Sequence, residues 1–254
     1  SSFSLGVGLS FLVSQIVAEN AGWREAFYIT AVGPLLMMMV CASLKPVAPP
    51  QRSEGRLLNF APVFRNKPAM GFVLGYGAHC FELYGIRTWL VAFWTFVAAK
   101  GDGSTFFTPV VVSFVFSVLA MPSSILGNEM ALRFGRHRAI TMIMIASASI
   151  ALSIGLLADG APWTLLPLVL RLSPQVTMAI SAGMTMAANP ENRGATMAIH
   201  STVGFGASAL GAWAIGAALD ACGGPDVASA WLPAFGVLAA GILLGPLALA
   251  WSRR

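Results

Sequence analysis

The sequence predicts an all-α polytopic membrane protein, a bundle of eight transmembrane helices, and three observations carry that prediction. Of the 254 residues, 57% are hydrophobic and only 10% charged, with a mean hydropathy of +0.76, so the chain has more apolar surface than a soluble fold of this length can bury. The apolar residues fall into stretches close to the ~20 that one helical crossing needs. They show no two-residue alternation, so each stretch satisfies its backbone hydrogen bonds internally, as a helix. The third observation is the lopsided placement of Lys and Arg in the connectors.

The spans are expected at 2 to 18, 26 to 44, 69 to 97, 106 to 126, 139 to 158, 162 to 188, 195 to 219 and 230 to 251. The first is short for a bilayer and already under way at residue 2, in a chain that opens Ser1-Ser2. The expectation is therefore a C-terminal portion of a longer protein, one that does not transport by itself. Pro34, Pro122, Pro174, Pro233 and Pro246 each remove a backbone donor and are expected to bend or interrupt their helices. Pro174, just after Arg171 in the sixth span, matters most, because broken helices at the midplane are where carriers expose backbone groups. In the seventh span Gly204, Ser208, Ala212 and Gly216 recur every four residues, and Gly241 and Gly245 do so in the eighth. Such small stripes let a neighbouring helix approach closely.

Of the fifteen Lys and Arg, eleven (Lys45, Arg52, Arg56, Arg65, Lys67, Arg133, Arg136, Arg138, Arg193, Arg253 and Arg254) lie on one side of this topology, and only Arg24 and Lys100 on the other. The bias puts the C-terminus in the cytoplasm. It also accounts for the net charge of +5 without nucleic acid, since the basic residues are scattered over short loops without interleaved stacking aromatics. Three cysteines imply no disulfide framework. The longest connector, 45 to 68, opens Lys45-Pro46-Val47-Ala48-Pro49-Pro50 and marks a domain boundary. Within it Leu57, Phe60, Ala61 and Phe64 suit either a short interfacial helix or a helical lead-in to the third span.

Side chains carrying or able to carry charge stand out deep inside two of the spans. His79, Glu82 and Arg87 sit in the third, Arg171 in the sixth. Charge at hydrocarbon depth costs several kcal/mol unless it meets a partner or a water-filled cavity, so such groups mark a pathway. At ~100° per residue Tyr76, Tyr84, Arg87 and Trp94 share one face of the third span, with His79 and then Glu82 stepping away from it. Glu82 and Arg87 are therefore not on one face. The planar guanidinium fork suits carboxylate or phosphate-like groups, which makes Arg87 and Arg171 candidate anion clamps, with Tyr76, Tyr84, Trp89 and Trp94 as aromatic walls. Glu82 or His79 is the candidate proton carrier. The plain alternative is that Glu82 neutralises an Arg of a neighbouring span. His200, near the end of its span, is expected to be structural. His79-Cys80-x-Glu82 does not make a metal site, because adjacent helical residues point in different directions.

Three segments carry a family resemblance: Gly22-Trp23-Arg24-Glu25-Ala26-Phe27, Asn128-Glu129-Met130-Ala131-Leu132-Arg133-Phe134-Gly135-Arg136-His137-Arg138, and Arg193-Gly194-Ala195-Thr196. In this order and topology the chain resembles the major facilitator superfamily over nearly its whole length. The stretch from Gly77-Ala78-His79-Cys80-Phe81-Glu82-Leu83 to Arg87-Thr88-Trp89 is similar to one group of its bacterial members. The resemblance implies that the eight spans are the fifth to twelfth of twelve. Residues 1 to 44 would be the last two helices of the N-terminal half, 45 to 68 the central cytoplasmic linker, and 69 to 254 the C-terminal six-helix half. It also implies that the third and sixth spans line a central cavity, bringing Arg87 and Arg171 toward one chamber, and that Glu129, Arg133, Gly135, Arg136 and Arg138 form the conformational loop. Aligned on Gly135, that loop has Asn128 where the family has Gly and Leu132 where it has Asp, so its charge pair is not the usual one. Glu129 and Arg133, four apart, suit either a substitute latch or a solvated surface pair. The first span lacks the Gly-Pro pattern of drug and proton exchangers.

The expected function is a secondary active transporter working by alternating access on a small organic solute, anionic or zwitterionic, coupled to protons. The alternatives are a multidrug or metabolite efflux carrier and, in another class, a channel or a structural membrane protein. The partners are a small-molecule substrate, the lipid bilayer and protons, with no nucleic acid, no cofactor, and a monomer when full length. The expected place is the bacterial inner membrane. No enzyme is expected: there is no Gly-x-x-x-x-Gly-Lys loop and no His-Glu-x-x-His, and no Ser and His form a recognisable pair.

Overall fold

A computed structural model of the chain describes residues 2 to 46, 60 to 100, 107 to 172 and 176 to 253. The described residues form helices and no strands. Helix α1 (Ser2–Asn20) turns at Gly22, whose φ of 110° favours glycine, into α2 (Trp23–Ser43). The short α3 (Ala61–Arg65) leads into α4 (Lys67–Ala98). Asn66 starts α4 as an N-cap: its side chain accepts from the Ala69 amide at 3.1 Å, and Pro68 fills the first turn. Thr108 starts α5 (Pro109–Phe134) in the same way through the Val111 amide. Gly135, at φ 87°, separates α5 from α6 (Arg136–Leu156). Then come α7 (Pro162–Arg171), α8 (Thr177–Ala187), a 3-10 turn at Pro190–Asn192, α9 (Arg193–Ala221) and α10 (Ala228–Trp251).

Six of the eight expected spans match helices to within a few residues at each end. The fourth differs because α5 continues eight residues past 126, to Phe134. Its hydropathy falls there, but its backbone hydrogen bonding does not stop until the left-handed glycine. The sixth is not one helix. It is broken between Leu172 and Thr177 into α7 and α8; Pro174, the expected cause, lies outside the described residues. Pro34, Pro122, Pro233 and Pro246 lie within continuous helices and interrupt none of them. In the long connector the helix is α3, holding Ala61 and Phe64 with Phe60 as its N-cap; Leu57 lies outside the described residues.

By length and composition α2, α5, α6, α9 and α10 are apolar enough to cross a membrane. Helix α2 makes the need for lipid plain, since only Ala26 on it is buried while Phe27, Leu35, Leu36 and Met37 to Met39 stand exposed. Helix α4 is the centre of the bundle, packed against α9, α10, α8 and α5, while α1 lies on α5. Across the α4–α10 seam Phe93 meets the rings of Trp231 and Phe235 edge-on at 4.8 and 5.0 Å. At the α4–α9 seam a Cβ on Gly211 would stand 2.1 Å from the Phe81 carbonyl oxygen. Only glycine allows the two backbones that close.

Most of the described cations from Arg65 onward lie at one end of the bundle. Asn66 donates to the Ala187 carbonyl at 2.9 Å, Phe72 meets the His137 ring at 4.9 Å, and Gly71 packs on Ser252. These contacts gather Arg65, Lys67, Arg133, Arg136, Arg138, Arg193 and Arg253 at one end of the bundle. Lys100 lies at the other, paired with Asp159.

Candidate functional site

The ionisable residues in the middle of α4 are buried: His79 is 2% exposed, Glu82 3% and Arg87 8%. They divide over two faces. His79 and Glu82 look toward α6, α8 and α10, where with Ser147, Arg171, Val176 and Ile242 they line a cavity of about 80 Å³. Glu82 Oε1 accepts a hydrogen bond from Ser147 Oγ at 2.7 Å, and His79 Nε2 shares one of 2.8 Å with Thr177 Oγ1. The cavity lies at the break in the sixth span: Arg171 ends α7, and Val176 and Thr177 open α8. Its size holds a few waters, at ~10–15 Å³ each. An organic solute needs more, since small-molecule pockets run from roughly 300 Å³ upward.

Arg87 does not line this cavity. It lies some 140° around α4 from Glu82, with its guanidinium 5.7 Å from the Tyr84 ring and its Nε without an acceptor. Among the described residues no carboxylate pairs with it. The structure thus brings Arg171, Glu82 and His79 together and leaves Arg87 with Tyr84 on the α9 side, where Tyr84 meets Phe205 edge-on at 6.4 Å. Tyr76 lies farther along that side, stacked on His200 at 3.9 Å and 16°. His200 also shares a 3.3 Å hydrogen bond with Ser181, so α4, α8 and α9 meet there. The two tryptophans are anchors: Trp94, 1% exposed, donates to the Phe107 carbonyl at 2.7 Å, and Trp89 to the Ala212 carbonyl at 2.9 Å. Trp94 therefore lies in the core beside Phe107 and borders neither polar region.

In the α5–α6 loop Arg133 bonds Glu129 at 2.8 Å, but both belong to α5 and are 70% and 49% exposed. That is a solvated surface pair, and it joins no two helices. Arg136 does the joining. It donates to Asn128 of α5 at 3.2 Å and to the Ala179 carbonyl of α8 at 2.8 Å, with Met186 Sδ at 3.8 Å. Gly135 supplies the turn, and Arg138 is exposed. On α9, Gly204 lies under Tyr76 and Gly216 against Trp89, while the buried face runs Gly204, Ser208, Gly211, Ile215, Leu219. A strict four-residue spacing drifts about 40° per step. Past Ser208 the face therefore continues at Gly211, the point of closest approach, while Ala212 contributes its carbonyl.

Sequence reading missed Ser147 and Thr177, which hold Glu82 and His79. Their signal was only that each is a hydroxyl in an apolar run. Comparison with curated proteins returns no match. Residues 1–212 match the family described as Major Facilitator Superfamily. Together with a membrane bundle of helices, the chain thereby belongs to the major facilitator superfamily, a family of secondary transporters and not of enzymes.

Proposed function

We propose that the protein is a proton-coupled carrier of a small anionic or zwitterionic organic solute in the bacterial inner membrane, with its C-terminus in the cytoplasm. The observation that carries this reading is the convergence of a carboxyl group, an imidazole and a guanidinium (Glu82, His79 and Arg171) on one small cavity at the break between α7 and α8. Intramembrane titratable groups at a broken helix are the physical ingredients of ion coupling. The cavity is too small for the solute, so the two tasks divide between the faces of α4. His79 and Glu82 exchange the proton, with Ser147 and Thr177 holding their side chains. Arg87, with Tyr84 beside it and Tyr76 about three turns farther along the same side, takes the carboxylate of the solute as a bidentate clamp. Arg171, an exposed residue lining the cavity, sets the field felt by Glu82 and His79 and belongs to the proton side of this division. In this reading residues 69 to 254 act as one half of the carrier, residues 1 to 44 belong to the other, 45 to 68 links them, and the full-length protein works as a monomer.

The test is uptake by the full-length protein in liposomes under an imposed pH gradient, with a panel of labelled small carboxylates and amino acids. Glu82→Gln, which keeps the Ser147 hydrogen bond and removes the ionisation, is expected to abolish gradient-driven uptake while exchange of solute across the membrane survives. Arg87→Gln is expected to abolish both. Wild-type uptake by both variants from pH 5 to 8 would refute the assignment.

A further inference from the structure

We propose that the basin at the corner between α3 and α4 binds the phosphate of an anionic phospholipid headgroup. The basin, about 710 Å³, is walled by Arg65, Asn66 and Lys67 on one side and by Ala187 and Asn189, at the end of α8, on the other. Arg65 and Lys67 are two residues apart, both exposed, and neither has a carboxylate partner among the described residues. Two like charges held at one corner attract an anion, and helix α4, 32 residues long, adds the positive end of its dipole at the same place. The corner is rigid. Asn66 spends its side-chain oxygen on the Ala69 amide and its nitrogen on the Ala187 carbonyl, tying α4 to α8 and fixing the shape of the basin.

What selects a lipid over a free anion is the residue next to the cations. Phe64 is 56% exposed, on a five-residue helix whose Val63 is 1% exposed and holds it against the bundle. An outward aromatic ring beside two cations matches a ligand with both an acyl region and a negative head, the arrangement expected at a membrane interface. It also lies at the end of the bundle where the cations gather, the leaflet rich in anionic lipid under the proposed orientation.

The experiment titrates the purified protein in detergent with dioctanoyl-phosphatidylglycerol and follows its thermal midpoint, with dioctanoyl-phosphatidylcholine and inorganic phosphate as parallel arms. Phosphatidylglycerol is expected to raise the midpoint saturably. Arg65→Gln with Lys67→Gln is expected to weaken its apparent affinity roughly 30-fold, at the usual worth of two interfacial cations. Removing two charges elsewhere at the same end, Arg133→Gln with Arg253→Gln, should leave it within about twofold of wild type. The single Arg65→Gln variant, expected near fivefold, and the charge-keeping pair Arg65→Lys with Lys67→Arg, expected to bind as wild type, keep the test decisive if the double variant does not fold. Equal loss in the two double variants, equal response to phosphatidylcholine, or the same shift with inorganic phosphate would overturn the proposal.

Discussion

Replacing Gly211 by Ala probes the seam that holds α4, and with it both polar faces, in register. The added Cβ would stand 2.1 Å from the Phe81 carbonyl oxygen, 2.9 Å from its carbon and 3.1 Å from its Cα. All three are backbone, so no side chain can turn aside, and the helices must part by about 1 Å to reach an ordinary C···O contact of ~3.3 Å. A gap of that size forfeits a quarter to a half of each dispersion contact along the seam. Overpacking of this kind costs roughly 1–3 kcal/mol, and the backbone clash places Gly211→Ala toward the upper end. Better helix propensity returns ~0.5–1 kcal/mol. The net of about 2 kcal/mol corresponds to a midpoint lowered by roughly 4–8 °C for a chain of this size. The control is Gly206→Ala on the same helix, where nothing lies within 4 Å of the new carbon; it should melt at or slightly above wild type. Thermal unfolding of both proteins in one detergent decides the matter. If Gly211→Ala melts no lower than Gly206→Ala, the close approach of α4 and α9 is wrong.

Ser147→Ala removes the only hydrogen bond that the described residues give the Glu82 side chain. Leaving the buried carboxyl group without its partner costs about 1–3 kcal/mol, so the variant should fold less stably and alter the pH profile of uptake, whereas Ser149→Ala, whose hydroxyl bonds its own helix at Ile145, should do neither. Arg136→Gln breaks the tie from α6 to Asn128 and Ala179 and should lower the thermal midpoint by several degrees. Glu129→Gln, which loses only an exposed pair, should cost at most about 0.5 kcal/mol. Asp159→Asn parts the Lys100 pair at the opposite end, and its effect should be under about 1 kcal/mol and fade with added salt, because Asp159 is solvated.

The sequence made most of the fold legible, since apolar runs of membrane length and one-sided cations are direct consequences of a lipid solvent. The angular separation of Glu82 from Arg87 was legible too: it follows from 100° per residue and reappears as cavity on one side of α4 and Tyr84 on the other. The partners were not. Ser147, Ser149 and Ser153 lie at two- to four-residue spacing on α6, a helix apolar on every side, and nothing in their chemistry tells which one turns inward. The same ambiguity hid Gly211 behind an every-four stripe that a 3.6-residue helix cannot keep. Trp94 shared the wheel angle of Arg87 but sits seven residues farther along, at a depth where its indole donates to the Phe107 carbonyl.

Helix α6 is expected to stand in lipid with Ser147 turned toward the polar cavity and Ile145 turned to hydrocarbon. Cysteine reactivity tests it directly, in a background where Cys41, Cys80 and Cys222 are alanine, using membranes and a small water-soluble thiol reagent that attacks only the thiolate. Ser147→Cys, lining the cavity, is predicted to react, and Ile145→Cys, 48% exposed on the outside of the bundle at nearly the same depth, is predicted to stay unmodified. Equal reaction at both positions, or reaction at 145 alone, would contradict the account.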